Sequence, residues 1–544
     1  MIRPVRLAPL VLFALVLAAS CTGFDNVVPP EDPKIDADVD FSGGRVIVFM
    51  IDALGQDKFD EMLDTGRLPN IKRYIVDRGV MVRPNVTSVP TITYACFPAA
   101  LTGHFPGHTG VPANNWFDRR TYVHRDYGRA KYRRLIQTDV EPTYIYEHLP
   151  NDWTTAVHSY LHRGENREHE STFTLGPAFW FGNFRLIDRV TTARFYVVLA
   201  EANKLKDWPA LLVLYYYSGD AIMHRTGRSS PETHSAFEQI DVHVGEVCEV
   251  LARNGRLDQV LLVLFADHGA HDQEPGQTID PAGQLNRLGI ATTREFMNED
   301  NSEAKRRAFF ERFRGVCSVI GNRTCFLYLR KPGAGWEARP TGKTLRNYAV
   351  VPGFEVDLPG FFAKNPAVDV VVWREGKDTI GVLSGQGEAR ITRREVRADK
   401  LYAYRVVEGR DPLGYADASD ADLRRLAVEG EYSSLRWLEA TVNTERPDVV
   451  PQLVELFDNP RIGDLVLLAA PGWAFTGINE TVAHHGGLTR GELLTPLVFA
   501  GPGAERMSRG PSRAVNITPT ILDYLNRTSD KPMTFDGRSL YKRD

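Results

Sequence analysis

The feature that most constrains this fold is a continuous apolar run, residues 46–51, rich in β-branched side chains. A strand buried on both faces has this composition, whereas a strand with one wet face alternates. Similar runs occur at residues 211–214, 260–265, 368–372, 465–468 and 497–499. Stretches such as 231–252, with apolar residues three and four apart, predict amphipathic helices between them. The alternation predicts an α/β fold, a three-layer sandwich around a mostly parallel sheet.

Residues 301–440 differ in pattern from the rest of the chain. They contain a hairpin-like pair of segments, 379–383 and 387–391, and none of the candidate metal ligands described below. At 544 residues, one large domain with an insertion is the natural expectation. We therefore predict a catalytic α/β domain in two parts, 44–300 and 441–544, with 301–440 as an inserted α+β subdomain.

The first 21 residues contain, in order, the basic, apolar and small-residue segments of an export signal. Arg3 and Arg6 precede an apolar stretch, residues 7–17, and small residues then lead to Cys21. This predicts a signal peptide over residues 1–21, since the apolar stretch is short for a bilayer span. A cysteine after small residues resembles the lipobox of bacterial lipoproteins; the alternative is ordinary cleavage, with Cys21 incidental. Residues 22–43 are polar, acidic and proline-containing, and predict a flexible tether.

These features predict an exported protein of the bacterial cell envelope, periplasmic or on the outer membrane, with a lipid anchor on Cys21. The formal net charge of -4 gives no electrostatic reason to expect a nucleic-acid partner. In an oxidising compartment Cys317 and Cys325, which flank a turn-like Gly-Asn pair, could form a disulfide, and the sequence leaves this open.

Carboxylates and imidazoles stand at or just after several apolar runs. Asp52 follows the first run, and Asp267 and His268 follow the run at 260–265. In parallel sheets ligands gather at the carboxyl ends of the strands, so these side chains are expected to share a site. On a regular strand Asp267 and His268 point apart, so a shared ion requires the chain to turn there, and Gly269 allows it.

Three further candidates lie outside those two strand ends. Asp220 and His224 are four residues apart, and on a helix this spacing puts both side chains on one face. His485 stands just before two glycines. Any one of these residues alone is more often structural, but mixed carboxylate and imidazole sets bind zinc and similar cations.

The combination of motifs resembles the alkaline phosphatase superfamily, most closely its nucleotide pyrophosphatase/phosphodiesterase-like branch. That branch has Pro-Thr-x-Thr after a strand ending in Asp, then Thr-Gly-x-x-Pro and His-x-Gly. Residues 90–93, 102–106 and 108–110 match these motifs in order. Asp-x-x-x-His, Asp-His-Gly and a final His-Gly follow, as in the family. The resemblance covers the chain from about Arg45 to Leu540, apart from the region 300–440.

The resemblance implies two divalent metal ions, with zinc favoured and manganese or iron suited to similar ligands. It assigns one ion to Asp220, His224 and His485, and the other to Asp52, Asp267, His268 and the Thr93 oxygen. Thr93 would be the nucleophile, because metal coordination favours its alkoxide. Cations about 4 Å apart would stabilise the attacking and leaving oxygens, and a phosphothreonine intermediate would form.

The family also has an amide that donates to a substrate oxygen and, in a monoesterase branch, a Lys-x-Arg clamp. The matching amide is Asn114, with Asn115 as the competing choice. Arg163 matches the arginine of the clamp, while Leu161 replaces its lysine, which counts against monoester specificity. A surface or ion-paired role for Arg163 is the alternative.

The predicted function is a two-metal hydrolase of phosphoric esters acting on a small phosphorylated substrate. Phosphodiester or nucleotide pyrophosphate bonds are favoured over phosphomonoesters. A sulfatase is disfavoured, because Cys96 lacks the arginine of the sulfatase motif and Thr93 has the nucleophile's spacing. The alternative from another class is a lipoprotein that keeps the fold but only binds its ligand.

Overall fold

Two β-sheets organise the chain. The computed structural model describes residues 32–169, 182–397, 399–475, 481–527 and 534–542. The strands of the two sheets are β1 (Val46–Ile51), β2 (Gly79–Met81), β3 (Thr154–Val157), β4 (Leu211–Tyr216), β5 (Leu261–Ala266), β6 (Thr292–Thr293), β7 (Gly315–Ile320), β8 (Thr324–Leu329), β9 (Val368–Gly376), β10 (Thr379–Leu383), β11 (Gly387–Val396), β12 (Asp399–Gly409), β13 (Tyr432–Ser433), β14 (Leu465–Ala469) and β15 (Leu497–Ala500).

The first sheet has the order β2-β15-β5-β1-β4-β3. Strands β3, β4, β1 and β5 are parallel, and β15 and β2 add an antiparallel edge. Strand β1 lies in the middle and is buried along its whole length. The predicted α/β fold with a mostly parallel sheet is confirmed.

Helices cover both faces of this sheet. Those of six or more residues in the described part of the chain are α1 (Gln56–Asp64), α2 (Thr93–Thr102), α3 (Phe184–Leu205), α4 (Ser218–Thr226), α5 (Pro231–Arg253), α6 (Pro281–Arg287), α7 (Glu303–Phe310), α8 (Leu358–Ala363), α9 (Ala421–Val428), α10 (Ser434–Thr441), α11 (Val449–Leu456) and α12 (Ile517–Tyr524). Side chains alternate across a strand. Neighbouring residues of β1 therefore enter different hydrophobic clusters: Ile47, Phe49 and Ile51 pack with α1, α3 and α5, and Val46, Val48 and Met50 pack with α2 and α12.

The odd-numbered residues of β1 face one helical layer and the even-numbered residues face the other. Two buried faces explain why the run at 46–51 shows no polar alternation. Helix α5 extends over Pro231–Arg253, close to the predicted 231–252.

The second sheet has the order β6-β7-β8-β14-β9-β10-β11-β12-β13 and is antiparallel except for the β6–β7 pair. It contains the predicted hairpin, in which Thr379 pairs with Thr392 and Leu383 with Glu388. It also takes up β14, which lies between β8 and β9. The runs at 368–372 and 465–468 thus belong to this sheet, and strand pairing crosses the predicted boundary at 440.

The described end of the predicted tether is packed against the body. Ile35, Val39 and Phe41 are buried in the cluster that contains α3 and α5, and Phe41 stacks on Trp208 at 4.9 Å. The prediction of a flexible tether over 22–43 is therefore wrong for residues 35–41. Three apolar side chains in this acidic stretch pack against the hydrophobic cluster that contains α3 and α5. The signal peptide and Cys21 lie outside the described residues. Within those residues, no helix combines the length and the apolar character that a bilayer crossing requires.

A buried ion cluster joins the loop after α2 to the rest of the molecule. His108 Nδ1 lies 2.6 Å from Asp536, and its Nε2 lies 3.1 Å from both Glu455 and Asp458. Glu455 also accepts hydrogen bonds from Lys400 at 2.8 Å and from the Tyr402 hydroxyl at 2.7 Å. The cluster connects the loop after α2 with α11 and the carboxyl-terminal segment.

His108→Gln should destabilise the protein by about 2 kcal/mol near pH 6, because it removes the cation that joins Asp536 to Glu455 and Asp458, while Arg393 and Lys400 remain beside the last two. Burial lowers the pKa of His108, but hydrogen bonds from its ring to Asp458, Asp536 and Glu455 outweigh it and raise the pKa to about 11. A raised pKa gives stability that is full below the unfolded value and is lost as pH rises toward the folded value. Urea unfolding at several pH values should therefore show a smaller difference near pH 9 than near pH 6; a difference that grows with pH would contradict this role.

Candidate metal centre

The candidate ligands meet at the carboxyl edge of the first sheet. In the register of the sheet, Ile51 of β1 stands beside Tyr216 of β4 and Ala266 of β5. The next residues along the chain therefore lie side by side. Asp52 follows β1, Asp267 and His268 follow β5, and helix α4 begins directly after β4 and carries Asp220 and His224, as the spacing predicted.

Two groups of side chains could each hold an ion. Asp52, Asp267 and His268 offer ligand atoms within 4.8 Å of one another, and so do Asp220, His268 and His485. His224 Nε2 lies 3.3 Å from Asp220 Oδ1, and His485 Nε2 lies 3.8 Å from the same oxygen. The structure thus brings together all six carboxylates and imidazoles that the sequence singled out. It also places His268 within reach of both groups.

Three buried carboxylate oxygens in this cluster have no hydrogen-bond partner within the described chain: Asp52 Oδ1, Asp220 Oδ1 and Asp267 Oδ2. The other oxygen of Asp267 accepts from the Ala53 backbone N–H at 3.0 Å. Burial and the charge of Asp267 hold the pKa of the Asp52 carboxyl well above its usual range. Clustered buried anions are costly unless a cation compensates them, so the oxygens fit ligands of divalent metal ions.

The three histidines are oriented in the same way. The Nδ1 atoms of His224, His268 and His485 lie 2.7, 3.0 and 2.9 Å from the backbone oxygens of Ala483, Gly269 and Thr91. An N–H donated to a carbonyl fixes the tautomer and leaves Nε2 as the ligand atom, as in many metal sites. Burial lowers the pKa of His485 to about 4, so its ring is neutral and able to bind a metal.

Thr93 lies beside this cluster as the first residue of α2. Its Oγ1 lies 3.3 Å from His268 Nε2, and the side chain is half-buried. A cavity of about 580 Å³ opens in front of it and is also lined by Asn114, Asp220, His224 and His485. A substrate in this cavity can contact the hydroxyl and the candidate ligands together.

The structure separates the two amide candidates. Asn114 lines the cavity, and its Oδ1 accepts from the Tyr94 backbone N–H at 2.9 Å. This fixes the amide with its N–H groups away from that bond. Asn115 instead donates from Nδ2 to the Val319 carbonyl at 3.0 Å and is not among the residues that line the cavity. Asn114 is therefore the better placed of the two to donate to a substrate.

Comparison with known proteins shows what this chain is similar to. Residues 46–300 match the family model described as type I phosphodiesterase / nucleotide pyrophosphatase. This stretch is therefore similar to the nucleotide pyrophosphatase/phosphodiesterase-like branch of the alkaline phosphatase superfamily. The resemblance seen in the motifs is thus confirmed, and the matched stretch contains every candidate ligand except His485.

Two curated relatives of this branch match a similar stretch. An uncharacterised pyrophosphatase/phosphodiesterase of Schizosaccharomyces pombe is 27% identical over 232 residues, which cover 41% of this chain and 44% of the relative. Human ectonucleotide pyrophosphatase/phosphodiesterase family member 7 is 39% identical over 227 residues, 39% of this chain and 44% of the relative. The matched part of the chain thus spans less than half the length of either relative.

Solved structures agree with this chain in fold over almost its whole length. Murine ectonucleotide pyrophosphatase/phosphodiesterase 5, an inactive variant in complex with AMP, superimposes with a TM-score of 0.51 at 13% identity, covering 91% of this chain and 97% of that one. The human counterpart gives a TM-score of 0.50 at 13% identity, with the same coverage. At such identity the likeness concerns the fold.

The structure corrects the prediction of Arg163 as part of a substrate clamp. Its guanidinium donates to the backbone carbonyls of Gln137 and Val140 at 2.8 and 2.6 Å and lies 3.0 Å from Glu147. It is not among the residues that line the cavity. The guanidinium of Arg163 thus bonds to the loop before β3. The alternative, a structural and ion-paired arginine, is the one observed.

Sequence reasoning missed two side chains of the site. Tyr215 donates from its hydroxyl to Asp52 Oδ2 and so fixes one oxygen of that carboxylate. Its position on β4, beside Met50 of β1, was the available signal. Arg133 lines the cavity with Tyr94 and Tyr217. No sequence motif contains Arg133, and its position in the cavity wall depends on how the surrounding loop folds.

Proposed function

We propose that this protein hydrolyses phosphodiester or nucleotide pyrophosphate bonds with Thr93 as nucleophile, through a phosphothreonine intermediate. The observation that carries the proposal is the arrangement around Thr93 Oγ1. Three unpartnered carboxylate oxygens and three imidazoles held by backbone carbonyls form one cluster, and the Thr93 hydroxyl lies 3.3 Å from one of these imidazoles, His268, at the wall of a cavity. Asp220, His224 and His485 would hold one divalent ion, and Asp52, Asp267, His268 and Thr93 the other.

When bound, two divalent cations, with zinc favoured by the mixed ligand set, supply charge stabilisation and a lower pKa for the Thr93 hydroxyl. The chain positions the reacting groups. Thr93 Oγ1 forms a bond to phosphorus as the bond to the leaving alcohol or phosphate breaks on the opposite side. Water then cleaves the phosphothreonine and regenerates the hydroxyl. Tyr215 and the Ala53 N–H keep Asp52 and Asp267 in place through both steps.

Because Arg163 donates to backbone carbonyls of its own loop, diesters are favoured over monoesters as substrates. A monoester carries more negative charge, and neither Leu161 nor Arg163 offers a cation to compensate it. The alternative of a binding protein without activity would require a lost ligand, and every predicted ligand is present in the cluster.

The test is a comparison of rates for the metal-loaded protein. We expect turnover of bis(4-nitrophenyl) phosphate and of a nucleotide nitrophenyl ester, and much slower turnover of 4-nitrophenyl phosphate and of 4-nitrophenyl sulfate. Faster turnover of the monoester would favour a phosphomonoesterase. No turnover with zinc, manganese or iron would favour a binding protein.

Asn114→Ala should lower kcat for a phosphodiester by about 10²- to 10³-fold, the usual cost of losing one donor to a developing oxyanion. Asn115→Ala is the matched control, because its amide bonds to Val319 and stays out of the cavity. Steady-state kinetics of both variants should show a loss of rate for Asn114→Ala alone. An equal loss of rate in both variants would mean that the substitutions disturb the backbone around residues 114 and 115, and that the loss does not come from a missing hydrogen-bond donor.

A further inference from the structure

The charged side chains in the wall of the cavity are unequal in sign. Among the described residues that line it, Asp220 has the only carboxylate, and that carboxylate is one of the candidate metal ligands. Three arginines, Arg133, Arg225 and Arg294, line the same cavity. Arg294 forms an ion pair with Asp280, so its charge is compensated. Apart from the metal ligands, the charged side chains that the structure places in this wall are therefore all cations.

Arg225 follows His224 in the last turn of α4, and its side chain is exposed. Adjacent residues of a helix point about 100° apart, so Arg225 leaves α4 on a different face from that of His224 and Asp220. Its guanidinium carbon lies 4.6 Å from the centre of the Phe184 ring, and Phe184 also lines the cavity. Stacking on the ring fixes the plane of the guanidinium and leaves the N–H groups at its edge able to donate.

The contacts of Arg225 leave its charge uncompensated by protein. In the part of the chain that the structure describes, no carboxylate forms an ion pair with Arg225 and no acceptor takes a hydrogen bond from it. The nearby Arg228 differs, because its guanidinium lies 2.5 Å from Asp57 and it is not among the residues that line the cavity. A planar set of N–H donors suits the oxygens of an anionic group. Arg225 is thus an accessible cation that a ligand in the cavity can contact.

Arg133 adds a second positive charge to the same cavity. Its guanidinium carbon lies 5.1 Å from the centre of the Tyr160 ring, which is also part of the wall. Quaternary ammonium groups, as in choline esters, are bound on aromatic faces. Here one face of Tyr160 and one face of Phe184 are each covered by a guanidinium of the protein itself. The cavity therefore favours an anionic substituent over a cationic one.

We propose that Arg225, with Arg133, binds a second anionic group of the substrate, such as a phosphate or a carboxylate, on an ester substituent away from the reacting phosphorus. Diesters with this group would be preferred to neutral diesters, and neutral diesters to cationic ones, because the two guanidinium groups attract the first and repel the last. This inference rests on the proposed phosphodiesterase function. It adds the charge of the substituent, which the metal ligands leave undetermined.

The experiment compares three diesters that share 4-nitrophenol as leaving group. Their second substituents are 3-sulfopropyl, propyl and choline, which are anionic, neutral and cationic, and a sulfonate cannot itself be hydrolysed as a phosphate ester. For the metal-loaded wild type, kcat/KM should be about tenfold higher for the sulfopropyl than for the propyl ester, and lowest for the choline ester. Raising the salt concentration from about 20 mM to about 500 mM should reduce this preference.

The variants assign the preference to one side chain. Arg225→Gln should lower the ratio of kcat/KM for the sulfopropyl ester to that for the propyl ester about fivefold, and Arg225→Lys, which keeps the charge, should restore most of it. Arg228→Gln is the matched control, since that guanidinium is paired with Asp57 outside the cavity, and it should keep the wild-type ratio. Metal content should be the same in wild type and in all three variants.

A ratio near one in wild type, an equal fall for Arg225→Gln and Arg228→Gln, or fastest turnover of the choline ester would overturn the proposal. So would slower turnover of 4-nitrophenyl phosphate by Arg225→Gln with an unchanged ratio, because Arg225 would then serve the reacting phosphate. If wild type turns over none of the three diesters, the proposed function fails, and calorimetric binding of the sulfopropyl and propyl esters still decides this inference. Tighter binding of the sulfopropyl ester to wild type but not to Arg225→Gln supports it, and any other result overturns it.

Discussion

Thr93→Ala is expected to lower turnover of a phosphodiester by about 10⁴-fold or more, the scale seen when a covalent nucleophile is removed. The expectation follows from the position of the hydroxyl, 3.3 Å from His268 Nε2 at the wall of the cavity. The fold should be kept, because Thr93 is a half-buried first residue of α2 and alanine is a good helix former. Steady-state rates, metal content and thermal unfolding measured together test all three points.

Thr93→Ser is the matched control, since it keeps a hydroxyl at the same carbon. It should retain activity far above Thr93→Ala and bind the same amount of metal. Mass spectrometry of acid-quenched turnover of bis(4-nitrophenyl) phosphate should find a 4-nitrophenyl phosphoryl group, which keeps the second ester, on the Thr93 peptide in wild type and none on that peptide in Thr93→Ala. Activity of Thr93→Ala within tenfold of wild type would rule out Thr93 as the nucleophile.

The part of the site that strand ends determine could be predicted from sequence. Asp52 and Asp267 each follow a fully apolar run, and neighbouring parallel strands bring such positions together whatever the loops do. Asp220 and His224 were predictable from helical spacing alone. These inferences use local rules, so they needed no knowledge of the rest of the fold.

The remaining parts depend on contacts between distant segments. His485 reaches the cluster because its backbone pairs with the β7–β8 turn, where its N–H donates to the Gly321 carbonyl at 3.1 Å. Arg163 fits a sequence motif, but the loop at 137–147 decides where its guanidinium lies. Tyr215 resembles a core residue in sequence, because periodicity reports burial and not hydrogen bonding.

The second sheet shows a limit of apolar patterns. The run at 465–468 has the same composition as the buried parallel strands, yet β14 lies between two antiparallel neighbours, β8 and β9. Burial on both faces removes polar alternation in either kind of sheet. The pattern therefore predicts a central strand without indicating which sheet contains it.

Two adjacent histidines provide the sharpest test of the metal assignment. His485 Nδ1 lies 2.9 Å from the Thr91 carbonyl, and its Nε2 faces Asp220 Oδ1 at 3.8 Å. The ring of His484 is held by protein on both sides, with Nδ1 3.1 Å from Thr481 Oγ1 and Nε2 2.6 Å from Gln273 Oε1. Both side chains are buried, so they differ in contacts and not in exposure.

His485→Ala should therefore reduce bound metal from about two ions to about one per chain. It should also lower turnover by more than about 100-fold, because losing even a residue that only supports a metal ligand reduces metal affinity or activity by about 10- to 100-fold. His484→Ala should keep its metal and lose only stability. Elemental analysis after dialysis, with rates on bis(4-nitrophenyl) phosphate, measures both. Equal metal content in the two variants would remove His485 from the ligand set and, with it, the argument that a second ion faces Thr93.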